Sequence, residues 1–199
     1  MFDFLVSSLT VAGIYGLMAL ALNLQAGYGG LLNFGHIAFA GLGAYATGIV
    51  IQAGGSPATG AALGVVLAMM LGWSVARLGR KLASDYWGIA TLAIAEILRT
   101  VATNEGWLTG GANGISGLPS LFDGVQRPWN ALAFLLLVLA AVALAAFALR
   151  RLANGRFGRA LRLMREEPAL ATCMGYDLRS LKSRAIVASA ALTALAGSL

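Results

Sequence analysis

The sequence predicts an all-α polytopic membrane bundle, five spans plus the start of a sixth, in a single transmembrane domain over residues 1–199. Three observations predict it. Apolar residues make up 59% of the chain and Asp, Glu, Lys and Arg only 11%, against roughly 25% charged in an ordinary soluble domain. A soluble protein of 199 residues has too little interior to hide that much apolar surface, so the lipid bilayer is its solvent. The apolar residues also fall in runs long enough to cross a bilayer as helices. Finally, the basic residues cluster between those runs, where they report orientation rather than affinity for nucleic acid.

The first run, Phe4 to Leu24, holds 21 uncharged residues, about 31 Å of helix against the ~30 Å of a hydrocarbon core. With Asp3 and no basic residue ahead of it, it reads as a retained span rather than a cleaved signal. Gly27 to Tyr45 then carries six glycines in nineteen residues. It predicts an irregular or re-entrant entry, followed by a second span from about Ala38 to Gln52. Gly54 to Pro57 is a turn, and Gly60 to Ala76 a third span closed by Arg77, Arg80 and Lys81. A fourth runs from about Trp87 to Ala102. Asn104 to Pro128 is a polar loop whose glycines deny regular structure, and Trp129 to Leu149 is the fifth span.

Residues 150–184 form the one long polar island, with nine of the fourteen basic residues and three of the eight acidic ones. Its punctuation is ordered. Asn154 is placed to cap a helix with Phe157, Ala160, Leu161 and Met164 on one face and Arg156, Arg159, Arg162 and Glu166 on the other. Pro168 opens a second, very short helix, Gly175 ends it, and Asp177 caps a third that runs into the apolar residues from Ala185. Ala185 to Leu199 supplies 15 residues, about 22 Å, and so reads as a sixth span cut short.

Placing residues 150–184 in the cytoplasm and counting spans backwards puts Arg77, Arg80 and Lys81 there too, twelve of the fourteen basic residues in all. The N-terminus and the 104–128 loop then lie outside. Ala40, Ala44 and Gly48 make a small-residue ridge for close helix packing, while the glycine-rich entry could instead be a broken helix lining a polar route. Asn33 and His36, where that entry meets the membrane, suit interfacial hydrogen bonding, with solute contact the alternative. Glu96 and Arg99, three apart on one helix, predict a paired couple facing the bundle interior, either structural or lining the route. Cys173, the one cysteine, predicts a small buried apolar role. One histidine and one cysteine exclude a His/Cys metal cluster. The sequence also holds no P-loop, carboxylate pair or nucleophile elbow, so no catalytic residue and no cofactor are expected.

Three blocks together resemble the permease subunits of branched-chain amino acid ABC importers, in their LivM-type branch. NLQAGYGGLLNFGHIAFAGLGAYATG looks like the family's GYxGxxSxGHxxFxGxGAY signature, with Asn33 where serine is common. DYWGIATLAIAEILRTVATNEGWLTGGANGISGLP is similar to the block carrying a membrane glutamate, an arginine and a TGGxNG loop. FGRALRLMREEPALATCMGYDLRSLKSRAIVASAALTALAG looks like the family's cytoplasmic block.

The resemblance implies a subunit of a bacterial inner-membrane importer for branched-chain or related amino acids. Its partners would be a sister permease subunit, two cytoplasmic ATP-binding subunits and an external substrate-binding protein. It further implies that Arg165, Glu166, Glu167, Ala171 and Gly175 belong to the segment coupling permease to ATPase. Ala171 and Gly175 fit the EAAxxxG spacing of ABC permeases, while Ala169 and Leu170 stand at its Glu and first Ala. The family normally continues for several more spans. Two rival readings remain. One is an ATP-independent transporter or channel using Glu96 and Arg99 as its relay; the other is a scaffold whose basic island binds anionic lipid.

Overall fold

A computed structural model describes residues 1–79, 84–118 and 129–199. They form α1 (Phe2–Leu22), which continues into a π-helical turn (Asn23–Tyr28), then α2 (Ile37–Gln52), α3 (Pro57–Leu78) and α4 (Ser84–Asn104). Next come α5 (Gly106–Thr109), a 3₁₀ turn (Gly111–Asn113), α6 (Trp129–Asn154), α7 (Arg156–Glu166), α8 (Pro168–Cys173) and α9 (Leu178–Ser198). No strand occurs among the described residues. Arg80 and Lys81, used above to fix orientation, lie outside the described residues.

Three helices are long and apolar enough to cross a bilayer: Asp3–Tyr28, counting the π turn, Pro57–Leu78 and Trp129–Asn154. α2 is apolar but shorter. α4 carries Glu96 and Arg99 mid-helix, and α9 opens with Arg179, Lys182 and Arg184, so both fall below the apolar standard despite 21 residues each. The protein is a multi-pass helical membrane bundle. Large side chains such as Phe4, Leu9, Met70, Leu136 and Leu144 face outward, as lipid-facing positions do.

The centre is a three-helix unit of α2, α3 and α9, held together at backbone distance. Gly43 of α2 lies directly against the Ala194 carbonyl of α9, and a Cβ built at Gly64 of α3 would stand 2.9 Å from the Gly43 Cα. Phe39, Ala68, Val75, Ile186 and Ala190 complete that core. The contact ridge on α2 is therefore Ala40, Gly43 and Thr47, all buried, while Ala44 is exposed. The expected spacing of four was right for Gly48 and Ala40, but α9 sits one residue round the helix from Ala44. A second layer joins α1 to α6 and α9 through Leu17, Ala145 and Ala196.

Several local expectations change. Pro57 is the first residue of α3, capped by Ser56, whose Oγ accepts from Thr59 N at 3.2 Å. Asn154 does not cap α7; it is the last residue of α6, and Gly155 alone joins the two helices. α6 runs five residues past Leu149 because its hydrogen bonding continues, Gly155 N donating to Arg151 O at 3.1 Å. In the 104–128 loop, Gly110, Gly111 and Gly114 at positive φ allow two helical turns rather than none; residues 119–128 lie outside the described set. Cys173 is exposed, not buried, because α8 presents it away from α7.

Candidate functional site

The break after α1 begins as a change of hydrogen-bond register. A π turn bonds i to i−5 rather than i−4, and beside it the Ala21 carbonyl takes its bond from Ser189 Oγ of α9 at 2.7 Å. The chain then leaves the helix at Gly29 and Gly30, with Gly30 at φ +65°. Such irregular backbone is tolerated at membrane depth only where protein or water covers it. Here protein covers part of it: Gly29, Asn33 and Gly35 are buried, while Gly30, Leu32 and Phe34 are exposed. Gln25 is fully buried, and its Oε1 accepts from Asn33 Nδ2 at 3.1 Å. Asn33 Oδ1 accepts from Gly35 N at 3.0 Å. His36 Nε2 pairs with Thr193 Oγ1 at 2.7 Å, and Thr193 also donates to Ser189 O at 2.9 Å. Phe34 N donates to Thr91 Oγ1 of α4 at 3.2 Å.

Asn33 and His36 are thus buried, hydrogen-bonded members of one polar cluster. Thr193, the partner of His36, stands about 22 Å along α9 from Leu178. Gly27, by contrast, touches the polar connection. The eight residues after the π turn therefore carry the chain back into the bundle before α2 begins, which is why α2 needs only 16 residues. Gln25 was missed as a site residue, although an amide inside an apolar run was a signal available in the sequence. Its Nε2 is buried and has no partner among the described residues.

The polar connection is a folded module. α7 buries Ala160, Leu161 and Met164 against Leu24, Leu149, Leu181 and Ala185 and exposes Arg156, Arg159, Arg162 and Glu166, as its spacing predicts. Arg165 reaches across 138 positions, and its Nη1 donates to the Gly27 carbonyl in the break. Its aliphatic stem lies where a Cβ on Gly30 would be, 2.8 Å from Arg165 Cγ. Arg162 stands over the Tyr28 ring at 5.9 Å and donates to Ala153 O at 3.0 Å. α7 is therefore docked on the broken end of α1.

α8 follows at once, with Glu167 at its N-cap and Pro168 at its first position. It ends in a Schellman turn: Gly175 has φ +83°, Gly175 N donates to Thr172 O at 3.0 Å, and Tyr176 N donates to Ala171 O at 3.1 Å. Asp177 then caps α9, its carboxylate accepting from Arg179 N at 3.0 Å. Ala171 is fully buried, whereas Glu166, Glu167 and Gly175 are exposed. Leu170 and Met174, one turn apart, are 50% and 63% exposed. That small apolar stripe on a polar end of the molecule went unmarked in the sequence, because each residue alone looks like filler.

Glu96 and Arg99 do pair, through contacts of 2.6, 2.9 and 3.1 Å. They do not face the interior. α4 packs through Trp87, Gly88 and Thr91, which leaves positions 96 and 99 on its outer side, 58% and 69% exposed. The structure thus brings Asn33 and His36 together, sets Arg165 beside their segment, and keeps Glu96 and Arg99 apart from both. No group of three or more His, Cys, Asp or Glu suited to a metal occurs among the described residues.

Residues 4–199 match the family model described as "Branched-chain amino acid transport system / permease component". The chain is 30% identical over 221 residues to the "Probable branched-chain amino acid transport permease protein LivM" of Methanocaldococcus jannaschii, covering 94% of this chain and 64% of that one. It is 32% identical over 219 residues to the "High-affinity branched-chain amino acid transport system permease protein LivM" of Escherichia coli, covering 96% and 50%. The chain thus spans about half to two-thirds of the length of these curated relatives. No solved structure matches it.

Proposed function

The chain belongs to the branched-chain amino acid transport permease family, and on that premise we propose that it is a membrane subunit of an ATP-driven importer for branched-chain or related amino acids. In this reading α1, α2 with its re-entrant lead, α3, α4 and α6 are five spans and α9 enters as a sixth. The α7–α8 module lies in the cytoplasm of a bacterial inner membrane, on the side where Arg77 and the nine basic residues of 150–184 gather. ATP is hydrolysed by two partner subunits. A sister permease subunit and an external substrate-binding protein complete the assembly.

The observation that carries this reading is the bond from Arg165 to Gly27. A module that only tethered two spans would have no reason to grip the broken end of a third. α8 offers the ATPase a compact docking element, with Leu170 and Met174 as apolar anchors and Glu166 and Glu167 as its charged edge. Ala171 seats it on the protein, and Gly175 fixes its exit. Displacement of α8 passes into α7, and through Arg165 into the backbone that leads to Asn33 and His36. The mechanism is a rigid shift of packed elements about a broken helix.

The test is uptake by the assembled importer, with the ATPase co-purified. Gly175→Leu or Glu167→Arg should abolish uptake and ATPase recovery while membrane insertion is retained. Arg165→Gln should instead keep the ATPase bound and lower uptake tenfold or more. Normal uptake by all three variants would sink the coupling assignment. Uptake that followed an ion gradient without any ATPase would favour the rival relay at Glu96 and Arg99.

A further inference from the structure

Beside Met69 and Trp73 of α3 and the start of α9 lies an open groove of about 840 Å³, distinct from the polar cluster and from α8. The two helices run antiparallel there: Gly72 lies against Ala190 and Ile186, while Gly64, two turns back along α3, meets Gly43, which touches Ala194 further along α9. The groove changes character in the same direction along both walls. On α9 it opens at Arg179, passes Ser183 and Arg184, and ends at Val187. On α3, Trp73 comes first and Met69 one turn deeper, while Arg77 stands over the Trp73 ring at 4.3 Å, one turn nearer the mouth.

Among the described lining residues, two arginines at the mouth stand against one carboxylate, Asp177. Arg179 and Arg184 form no ion pair with a carboxylate among the described residues. Asp177, which also lines the groove, has its carboxylate engaged by Arg179 N as the cap of α9. The distance along α9 from Arg179 to Val187 is about 12 Å, the span of a phosphate, a glycerol and the first carbons of an acyl chain. Trp73 is 48% exposed and Met69 40% exposed, so the deep half offers apolar surface at membrane level, where a water-borne partner does not reach.

We propose that this groove binds one anionic phospholipid, its phosphate between Arg179 and Arg184 and an acyl chain along Trp73, Met69 and Val187. Both walls run from arginine to apolar side chains, Arg179 and Arg184 to Val187 on α9 and Arg77 to Trp73 and Met69 on α3, and that shared gradient matches a lipid end to end. Basic recesses between membrane helices recognise anionic head groups in this way. The site would hold α9 at its entry into the membrane, close to the exit of α8.

Native mass spectrometry of the full chain in detergent tests it, with phosphatidylglycerol as the probe, phosphatidylcholine as the neutral control and inorganic phosphate as a competitor. One phosphatidylglycerol should be retained in preference to phosphatidylcholine. Arg179→Gln with Arg184→Gln should weaken it by about fivefold per arginine. Arg150→Gln with Arg151→Gln, an equal loss of charge at the end of α6, should leave it unchanged. Ser183→Trp, which fills the groove without removing charge, should also lower retention, and circular dichroism would confirm that each variant is helical. Equal losses in the two double variants would overturn the proposal in favour of diffuse basic attraction. So would full displacement by millimolar phosphate, which would mark a free-anion site, or retention undiminished by Ser183→Trp. The readout is binding, so it stands or falls independently of transport.

Discussion

The α2–α3–α9 unit and α4 are built on opposite plans. The first closes on itself: glycines at 43 and 64 bring three backbones together, and the faces that matter are spent inside the chain. The second touches the rest mainly through Trp87, Gly88 and Thr91 and turns Ile89, Leu92, Ile97 and the Glu96–Arg99 pair outward. In the proposed reading, where α4 spans the membrane, an ion pair on its outer face is costly against lipid, and a neighbouring subunit covering it would remove that cost. One region packs on itself, and the other leaves its outer face uncovered by the described residues.

The sharpest way to break that contrast is Gly43→Leu. A side chain there has to push apart Ala194 and Gly64 together, which should cost about 3 kcal/mol and show as failed accumulation in the membrane or a collapsed thermal transition. A tolerated Gly43→Leu would mean that the unit is not closed. Next comes Asn33→Leu, which strips the Gln25 carbonyl and Gly35 N–H of their partner and should cost roughly 1–3 kcal/mol, measured by thermal unfolding in detergent. Gly175→Ala should cost about 1–2 kcal/mol for a Cβ in the left-handed region, confined to the α8 exit and visible as faster hydrogen exchange at Tyr176. The smallest effect on the isolated chain should follow Glu96→Gln with Arg99→Gln. Its unfolding midpoint should stay put while co-purification of a membrane partner falls. A large midpoint shift would place the pair inside the chain's own energetics after all.

What could be read in the sequence was local. Pro168, Gly175 and Asp177 punctuate α8 and α9 where expected, because a cap or a Schellman turn is decided within a few residues. The buried stripe of α7 followed from its period, and the pairing of Glu96 with Arg99 from a spacing of three. The direction of that pair was not legible, since it depends on which side of α4 meets residues 34 and 35. The burial of Asn33 and His36 was not legible because their partners, Gln25 and Thr193, carry no mark that says they will meet. The 138-residue reach of Arg165 has no sequence signature at all. Asn154 misled for a simpler reason: a good capping residue was spent inside the longer helix, and Gly155 took the junction.

That junction has a mechanical consequence. With Gly155 as a single-residue pivot, braced where Gly158 lies against Ala153, the distance out to Arg165 is a radius of about 15 Å. In the proposed coupling, a 1 Å displacement at the outer end would be a rotation of roughly 4° about Gly155, passed to Gly27 through Arg165. A slack loop of the same length would dissipate that stroke as bending. A stiff arm on a short hinge converts it into torque.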